Sequence, residues 1–317
     1  MSENFITLFN YNYLPQGLSL YYSLKKNLPE ANIWVVCMDK KVEADLKKRN
    51  LPDLNIIPLK KIENNRLLKV KKTRKFVEYC WTLTPFLPEF FFKKFNKTKS
   101  VTYLDADIFF YKSPIPIIKE FDKSKKSILL TEHGFHHKHD NSIVSGKFCV
   151  QYMKFKNNKF TKKILRWWQD KCIEWCHDFP NKGRFGDQKY LDLWPKLFAK
   201  YIHISKNKKF FQAPWTFDRF NSKDTIIYHF HGLKIQSFKV IVFNNYGLTK
   251  KIVKNIYLPY LKALKNSLNK INHDFKQITT KKKLSVNIKE FVRFKLLRKK
   301  NLYKFEFNLQ EYEKNKK

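Results

Sequence analysis

Ser100-Val101-Thr102-Tyr103-Leu104-Asp105-Ala106-Asp107-Ile108-Phe109-Phe110-Tyr111 (SVTYLDADIFFY) is an apolar run interrupted by two carboxylates two positions apart. It reads as a strand carrying its Asp pair toward the C-terminal end. In an open parallel sheet the C-terminal strand ends line the ligand crevice. Paired carboxylates at that edge can bind a divalent ion and, through it, a diphosphate, because Mg²⁺ and Mn²⁺ combine one or two carboxylates with substrate phosphates. The plain alternative is a strand end turning into a polar loop. Against it, two unpaired charges between Val101–Leu104 and Ile108–Tyr111 would be costly to bury. Metal ligation would supply the missing partner.

N-terminal to this stretch, strands are expected over 5–9, 32–38 and 55–59, alternating with helices over 14–28 and 42–48. The run 32–38 (NIWVVCM) is nearly all apolar, as in a strand buried on both faces of a parallel sheet. This βαβαβ succession predicts an α/β doubly wound fold, with a mainly parallel central sheet flanked by helices. Residues 75–95 read as mostly helix, which Pro85 and Pro88 must break or restart as a second one. On the C-terminal side, strands are expected at 127–131, 148–155, 201–204 and 225–230, with a Trp-bearing helix over 158–178 and a glycine-bearing loop at 183–188. A basic amphipathic helix over 250–268 and a Lys-rich tail follow. The expected organisation is a body, 1–245, and a basic helical C-terminal extension, 246–317. No internal repeat is present.

Of 317 residues, 43% are hydrophobic and 17% aromatic, enough for a sizeable core and against disorder. No run approaches the roughly 18 apolar residues of a membrane span. The start lacks a basic region followed by an apolar one, and five Cys do not make a disulfide framework, so an intracellular, reduced protein is expected. Of the net charge of +38, +17 falls in residues 233–317, which hold 22 Lys/Arg against 5 Asp/Glu, and +21 is spread over the other 232 residues. Such charge invites a nucleic-acid reading. Elsewhere Lys is scattered singly or in pairs among apolar positions, which fits compositional bias or attraction to anionic membranes and substrates instead. No nucleic-acid partner is expected.

Further candidates flank the Asp pair. In Tyr228-His229-Phe230-His231-Gly232, His at i and i+2 share a strand face and one can add a metal ligand, or both are half-exposed strand residues. Gly232 would permit close approach of a phosphate and Lys234 would neutralise it. Asp187, in Gly186-Asp187-Gln188, sits at a helix start and can be a functional carboxylate or an N-cap. Lys71, Lys72 and Arg74 can face a diphosphate or be surface charge. The i, i+4 thiols of Cys172 and Cys176 read as core packing. The group His133, His136, His137 and His139 reads as a loop that binds metal adventitiously or touches an acceptor. No P-loop, G-x-G-x-x-G, G-x-S-x-G or H-E-x-x-H pattern occurs.

In this order, VEYCWTLTP (77–85), VTYLDADIFFY (101–111), RFGDQKYLDLWP (184–195), APW (213–215) and YHFHGLK (228–234) resemble the GT-A fold glycosyltransferases, especially family 8, and bacterial nucleotide-diphospho-sugar transferases. The resemblance covers roughly residues 4–236. It implies a GT-A fold and a hexosyltransferase-type enzyme that moves a sugar from a nucleotide-diphosphate donor, UDP-sugar favoured, to a glycan or lipid-linked acceptor. It implies Mn²⁺ or Mg²⁺ held by Asp105, Asp107 and His229, with His231 the lesser choice. Asp105 and Ala106 would also touch the donor, Gly232 and Lys234 its diphosphate, and Thr7, Phe9, Asn10 and Tyr13 the base. Arg74 would face base or phosphate. Asp187 and Gln188 would sit at the transferred sugar, with the anomeric configuration retained. Asp187 is then the candidate nucleophile, although front-face attack assisted by the leaving phosphate fits better, and Gln188 positions.

Two departures stand out. Family 8 members usually carry F-N-x-G after the D-x-D, where this chain has Phe148-Cys149-Val150-Gln151, and the Asp often found near the base is absent from the first strand. The setting implied is surface polysaccharide or lipopolysaccharide synthesis at the cytoplasmic face of a membrane. Ile288, Phe291, Val292, Phe294, Leu296 and Leu297, interspersed with Lys and Arg, would hold the tail on anionic lipid. A nucleotidyltransferase on a similar sheet would need a glycine-rich basic loop where residues 10–15 read NYNYLP. A non-catalytic nucleic-acid binder would be indifferent to Asp105 and Asp107.

Overall fold

The computed structural model describes residues 3–236, 239–244, 246–271 and 303–308. The apolar tail positions Ile288 to Leu297 lie outside the described residues. In chain order come β1 (Asn4–Phe9), α1 (Leu14–Asn27), β2 (Asn32–Cys37), α2 (Lys40–Arg49) and β3 (Leu54–Pro58), then α3 (Asn65–Lys71), α4 (Phe76–Leu83) and α5 (Phe86–Lys94). Pro85 separates α4 from α5, while Pro88 sits in the first turn of α5, where an N–H has no intrahelical acceptor to lose.

The chain continues through β4 (Ser100–Leu104), β5 (Ile108–Phe110), α6 (Ile115–Lys123), β6 (Ile128–Glu132), α7 (Ser142–Ser145), β7 (Phe148–Lys156) and α8 (Lys159–Glu174). Then come α9 (Trp194–Leu197), β8 (Ile202–Ile204), β9 (Phe211–Gln212), β10 (Ile227–His229), β11 (Leu233–Gln236), β12 (Lys239–Asn244), α10 (Lys250–Ile252), α11 (Leu258–Asn269) and β13 (Tyr303–Asn308). A π-helical stretch, Val253–Tyr257, joins α10 to α11.

The central sheet has seven strands in the order β3-β2-β1-β4-β7-β6-β8. β7 alone runs against its neighbours; the other pairings are parallel. Both faces are covered, as a parallel sheet requires. On one face Phe5, Leu104 and Tyr152 pack with Leu14, Leu18 and Leu24 of α1. On the other, Ile6, Tyr103 and Met153 pack with Leu83 of α4, Phe91 of α5 and Trp168 of α8. The 250–269 helix does not stand apart among the described residues. Leu261, Leu264 and Leu268 enter the same core as β1 and α1, and Ser267 Oγ lies 3.1 Å from Ser19 Oγ in a buried contact.

The opening stretch is not one strand. β4 belongs to the central sheet, whereas β5 belongs to a three-stranded sheet, β5-β10-β9, and Asp105-Ala106-Asp107 is the turn between them. The apolar residues on both sides conceal the break because each half is buried, in a different sheet. A third sheet, β11-β12-β13, is antiparallel.

Candidate active site

Passing from one sheet to the other aims both Asp side chains at the same opening. Asp105 N donates to Gln151 O of β7 (3.2 Å), and Phe230 N donates to Asp107 O (2.9 Å), so both ends of the turn are tied to backbone. β10 runs antiparallel to β5 with His229 opposite Ile108. That register brings His229 Nε2 to 3.0 Å from Asp107 Oδ1 and 3.8 Å from Asp105 Oδ2. Among the described residues these three form the one His/Cys/Asp/Glu group arranged as a metal site, their ligand atoms all within 4.8 Å of one another. Two carboxylates and an imidazole make an oxygen-rich set that suits Mn²⁺ or Mg²⁺.

The electrostatics fit a site waiting for positive charge. Burial works against ionisation of His229, yet Asp107 at hydrogen-bond distance outweighs it and holds the imidazole pKa well above its usual value. Burial would likewise raise Asp107, but His229 holds that carboxyl below the ordinary range. Asp105 is left pushed upward, by burial and by the charge of Asp107, despite His229 and the Tyr103 hydroxyl that donates to Asp105 Oδ1 at 2.9 Å. One proton on His229 therefore stands where a cation would go.

The three residues lie in a cleft of ≈ 470 Å³, inside the range of about 300–1,000 Å³ typical of small-molecule sites. Of the residues expected to bind donor or act on it, Phe9, Asn10, Tyr13, Ala106, Asp187, Gln188 and Gly232 line this cleft with Asp105, Asp107 and His229. Thr7, Arg74 and Lys234 do not. Thr7 is buried in β1 with its Oγ1 unpartnered, and Lys234 is exposed on β11. The Arg74 guanidinium is turned away: Nη2 donates to Ile173 O (3.2 Å), and Nη1 meets His177 Nε2. His177 Nδ1 in turn lies 3.2 Å from Glu78 Oε2. Arg74 thus fastens the end of α8 to the start of α4, which forms the cleft wall, rather than facing base or phosphate.

Asp187 is 2% exposed, and its side chain makes no N-cap hydrogen bond to the short 3₁₀ helix that follows. Burial, and then the charge of Asp105, push its carboxyl up to about 8. Its Oδ2 has no hydrogen-bond partner. Trp168 Nε1 donates to Asp187 O (2.9 Å) and fixes the backbone there. Gly186 takes a φ of 53°, and a Cβ at that position would lie 3.3 Å from the Trp81 ring.

Several cleft residues carried little signal in the sequence. Trp215, of the APW stretch, packs its ring edge-on to His229 (5.3 Å) and His231 (5.7 Å), and Trp215 Nε1 donates to His133 O (2.7 Å). His133 is stacked on Phe135 at 4.7 Å, and its pKa is pushed down to about 3 by burial, so it is neutral, with a buried and unpartnered Nδ1. Cys149 lines the cleft beside these rings. Gln151, the other departure from F-N-x-G, is fully buried outside the cleft wall, both amide atoms unpartnered, and serves Asp105 through its backbone carbonyl. Cys172, on α8, and Cys176, just past its end, are buried in the core.

No protein-family model matches the chain. It is 30% identical over 259 residues to the uncharacterized protein YfnF of Bacillus subtilis (strain 168), covering 76% of this chain and 85% of that protein. It is 27% identical over 291 residues to the uncharacterized protein YfnD of the same organism, covering 86% and 92%. Among solved structures, the galactosyltransferase LgtC, in complex with donor and acceptor sugar analogs, matches with a TM-score of 0.58 at 12% identity, over 86% of this chain and 99% of that one. The glycosyltransferase GlyE of Streptococcus pneumoniae TIGR4 matches with a TM-score of 0.52 at 14% identity, over 85% and 64%. The fold is therefore the GT-A fold of these glycosyltransferases.

Proposed function

This chain belongs to the same family as YfnF of Bacillus subtilis, and we propose that it is a metal-dependent glycosyltransferase of the family 8 type, moving a sugar from a nucleotide-diphosphate donor to a glycan or lipid-linked acceptor. The observation that carries the reading is the convergence of Asp105, Asp107 and His229 on the floor of a cleft at the carboxyl end of β4. Asp105, Asp107 and His229 would hold Mn²⁺ or Mg²⁺. A bound divalent ion would neutralise the charge developing on the leaving diphosphate.

The remaining work falls to the protein's own groups. Phe9, Asn10 and Tyr13, at the end of β1, form the side of the cleft suited to the base. Gly232, at a φ of 79°, lets backbone approach the diphosphate. Asp187, buried on the cleft wall with one carboxyl oxygen unpartnered, would hydrogen-bond the transferred sugar, with Gln188 positioning it, and retention by front-face attack is the course we favour. The acceptor would enter past His133, Phe135 and Trp215. The setting we favour is surface polysaccharide synthesis at the cytoplasmic face of a membrane.

The test is calorimetric titration of UDP, GDP and CDP, each with Mn²⁺ and with EDTA, into wild type and Asp107→Ala. Metal-dependent binding of one nucleotide, lost in the variant, is the expected result. Absence of nucleotide binding under every condition would overturn the proposal.

A further inference from the structure

Residues 66–77 run from α3 into the first turn of α4, and nine of these twelve side chains are exposed. The segment holds six cations and no acid. Among its exposed residues are three large apolar ones, Leu68 (44%), Phe76 (51%) and Val77 (42%). Apolar exposure of single side chains is ordinary. Here three occur within ten positions, on one cationic segment. Phe76 and Val77 also form part of the cleft wall, so the patch is continuous with the opening of the site.

Of the six cations only Arg74 is taken up by the fold, against the end of α8. Arg66, Lys71 and Lys75 make surface ion pairs with Asp170 (2.5 Å), Glu63 (2.7 Å) and Asp178 (3.0 Å), and such exposed pairs are worth about 0–1 kcal/mol. Lys69 and Lys72 make no ion pair among the described residues. The opening carries a further aromatic side chain, Tyr13, 43% exposed on the cleft wall.

We propose that residues 66–77 form a docking face for an anionic lipid bilayer, distinct from the basic tail. Leu68, Phe76 and Val77 enter the headgroup and acyl boundary, and Lys69 and Lys72, with the ion-paired cations around them, meet lipid phosphates. A polynucleotide would use the cations but leaves the aliphatic Leu68 and Val77 without a role. Docked this way, the cleft opens at the membrane surface. If the transferase reading holds, on which this last step rests, the acceptor is a lipid-anchored glycan reached without leaving the bilayer.

The experiment uses the full chain with vesicles of phosphatidylcholine alone or mixed with phosphatidylglycerol, read by co-sedimentation and by amide hydrogen exchange. The expected result is binding to the anionic vesicles only, with slowed exchange over 66–77. Binding should weaken about tenfold or more in Lys69→Glu/Lys72→Glu, and comparably in Leu68→Ser/Phe76→Ser/Val77→Ser. Unchanged exchange over 66–77 on bound vesicles overturns the proposal. So does vesicle binding as tight in both variants as in wild type, which would assign it to the tail, or charge-dependent binding to a polynucleotide with none to vesicles. The exchange readout in wild type needs no variant to fold. Nucleotide titration without vesicles separates the two readings: a chain that binds no nucleotide yet shows protection over 66–77 loses the transferase and keeps the docking face.

Discussion

His229 Nε2 lies 3.0 Å from Asp107 Oδ1, joining β10 to the residue that precedes β5. The contact follows from strand register, since His229 pairs with Ile108, and it ties the protonation of one residue to the charge of the other. A metal ion must replace the His229 proton. Because the His229 pKa is raised well above its usual value, apparent Mn²⁺ affinity should climb about tenfold per pH unit while the imidazole remains protonated, then level. Titration in two buffers of different ionisation enthalpy should record close to one proton released per ion at neutral pH. A pH-independent affinity would mean that His229 is not a ligand.

Without metal, the same pair has a stability signature of opposite slopes. The raised pKa of His229 stabilises the fold fully below its unfolded value, about 6.5, and that contribution is lost as pH rises through the folded value. The lowered pKa of Asp107 stabilises above its unfolded value, about 3.9, and that is lost as pH falls. Asp105, with its pKa raised, costs stability at neutral pH. Asp105→Asn should therefore unfold at a higher temperature than wild type in EDTA, yet lack the stabilisation expected of wild type on adding Mn²⁺. Equal metal-induced shifts in both proteins would remove Asp105 from the ligand set.

Asp187 allows a larger effect. Its folded pKa of about 8 stands against an unfolded value of about 3.9, so folding takes up a proton between those values and the cost grows with pH across that interval. Asp187→Asn removes this titration. Denaturant unfolding in EDTA should show a gain on the order of 2–4 kcal/mol near neutral pH and less than half of that near pH 5. A gain independent of pH would place the Asp187 pKa near its ordinary value.

What the sequence conveyed and what it withheld have a common physical origin. The repeating apolar patterns of β1, β2 and β3 with α1 and α2 are local, and the boundaries read from them agree with the structure within about two residues. Asp105 and Asp107 were conspicuous because two charges sit in an apolar run. The division of residues 100–111 between two sheets was hidden, because it depends on β10 and β9, more than a hundred residues downstream. Arg74 shows the same limit from the other side. A cation before a helix looks like a phosphate ligand until the fold brings the end of α8 and His177 against it. His133 and Trp215 were equally hard to weigh, since only the tertiary fold buries one beneath the other.

Gly186→Ala should disturb both stability and site. The residue's φ of 53° disfavours any Cβ, and the added atom would press on Trp81 at 3.3 Å. A loss of about 1–3 kcal/mol is expected, together with weaker nucleotide binding, because Asp187 and Gln188 follow directly. Adding Trp81→Phe should recover only part, since it relieves the clash but not the backbone. Complete recovery would show that the clash alone matters.

Trp215 separates packing from hydrogen bonding at the candidate metal site. Its Nε1 donates to His133 O at 2.7 Å, and its ring stands edge-on to His229 at 5.3 Å. Trp215→Phe keeps a ring in that place but leaves a buried carbonyl unpaired, a cost of about 1–3 kcal/mol. Trp215→Leu also removes the aromatic wall against His229. If the ring orients the imidazole, Mn²⁺ affinity should change little in Trp215→Phe and fall about tenfold in Trp215→Leu, the scale expected when a group supporting a ligand is lost. Both variants would be destabilised, so stability alone does not discriminate; the metal titration does. Equal affinities in the two variants would assign His229 its orientation through Asp107 and the β5–β10 register, with Trp215 left as a wall of the cleft.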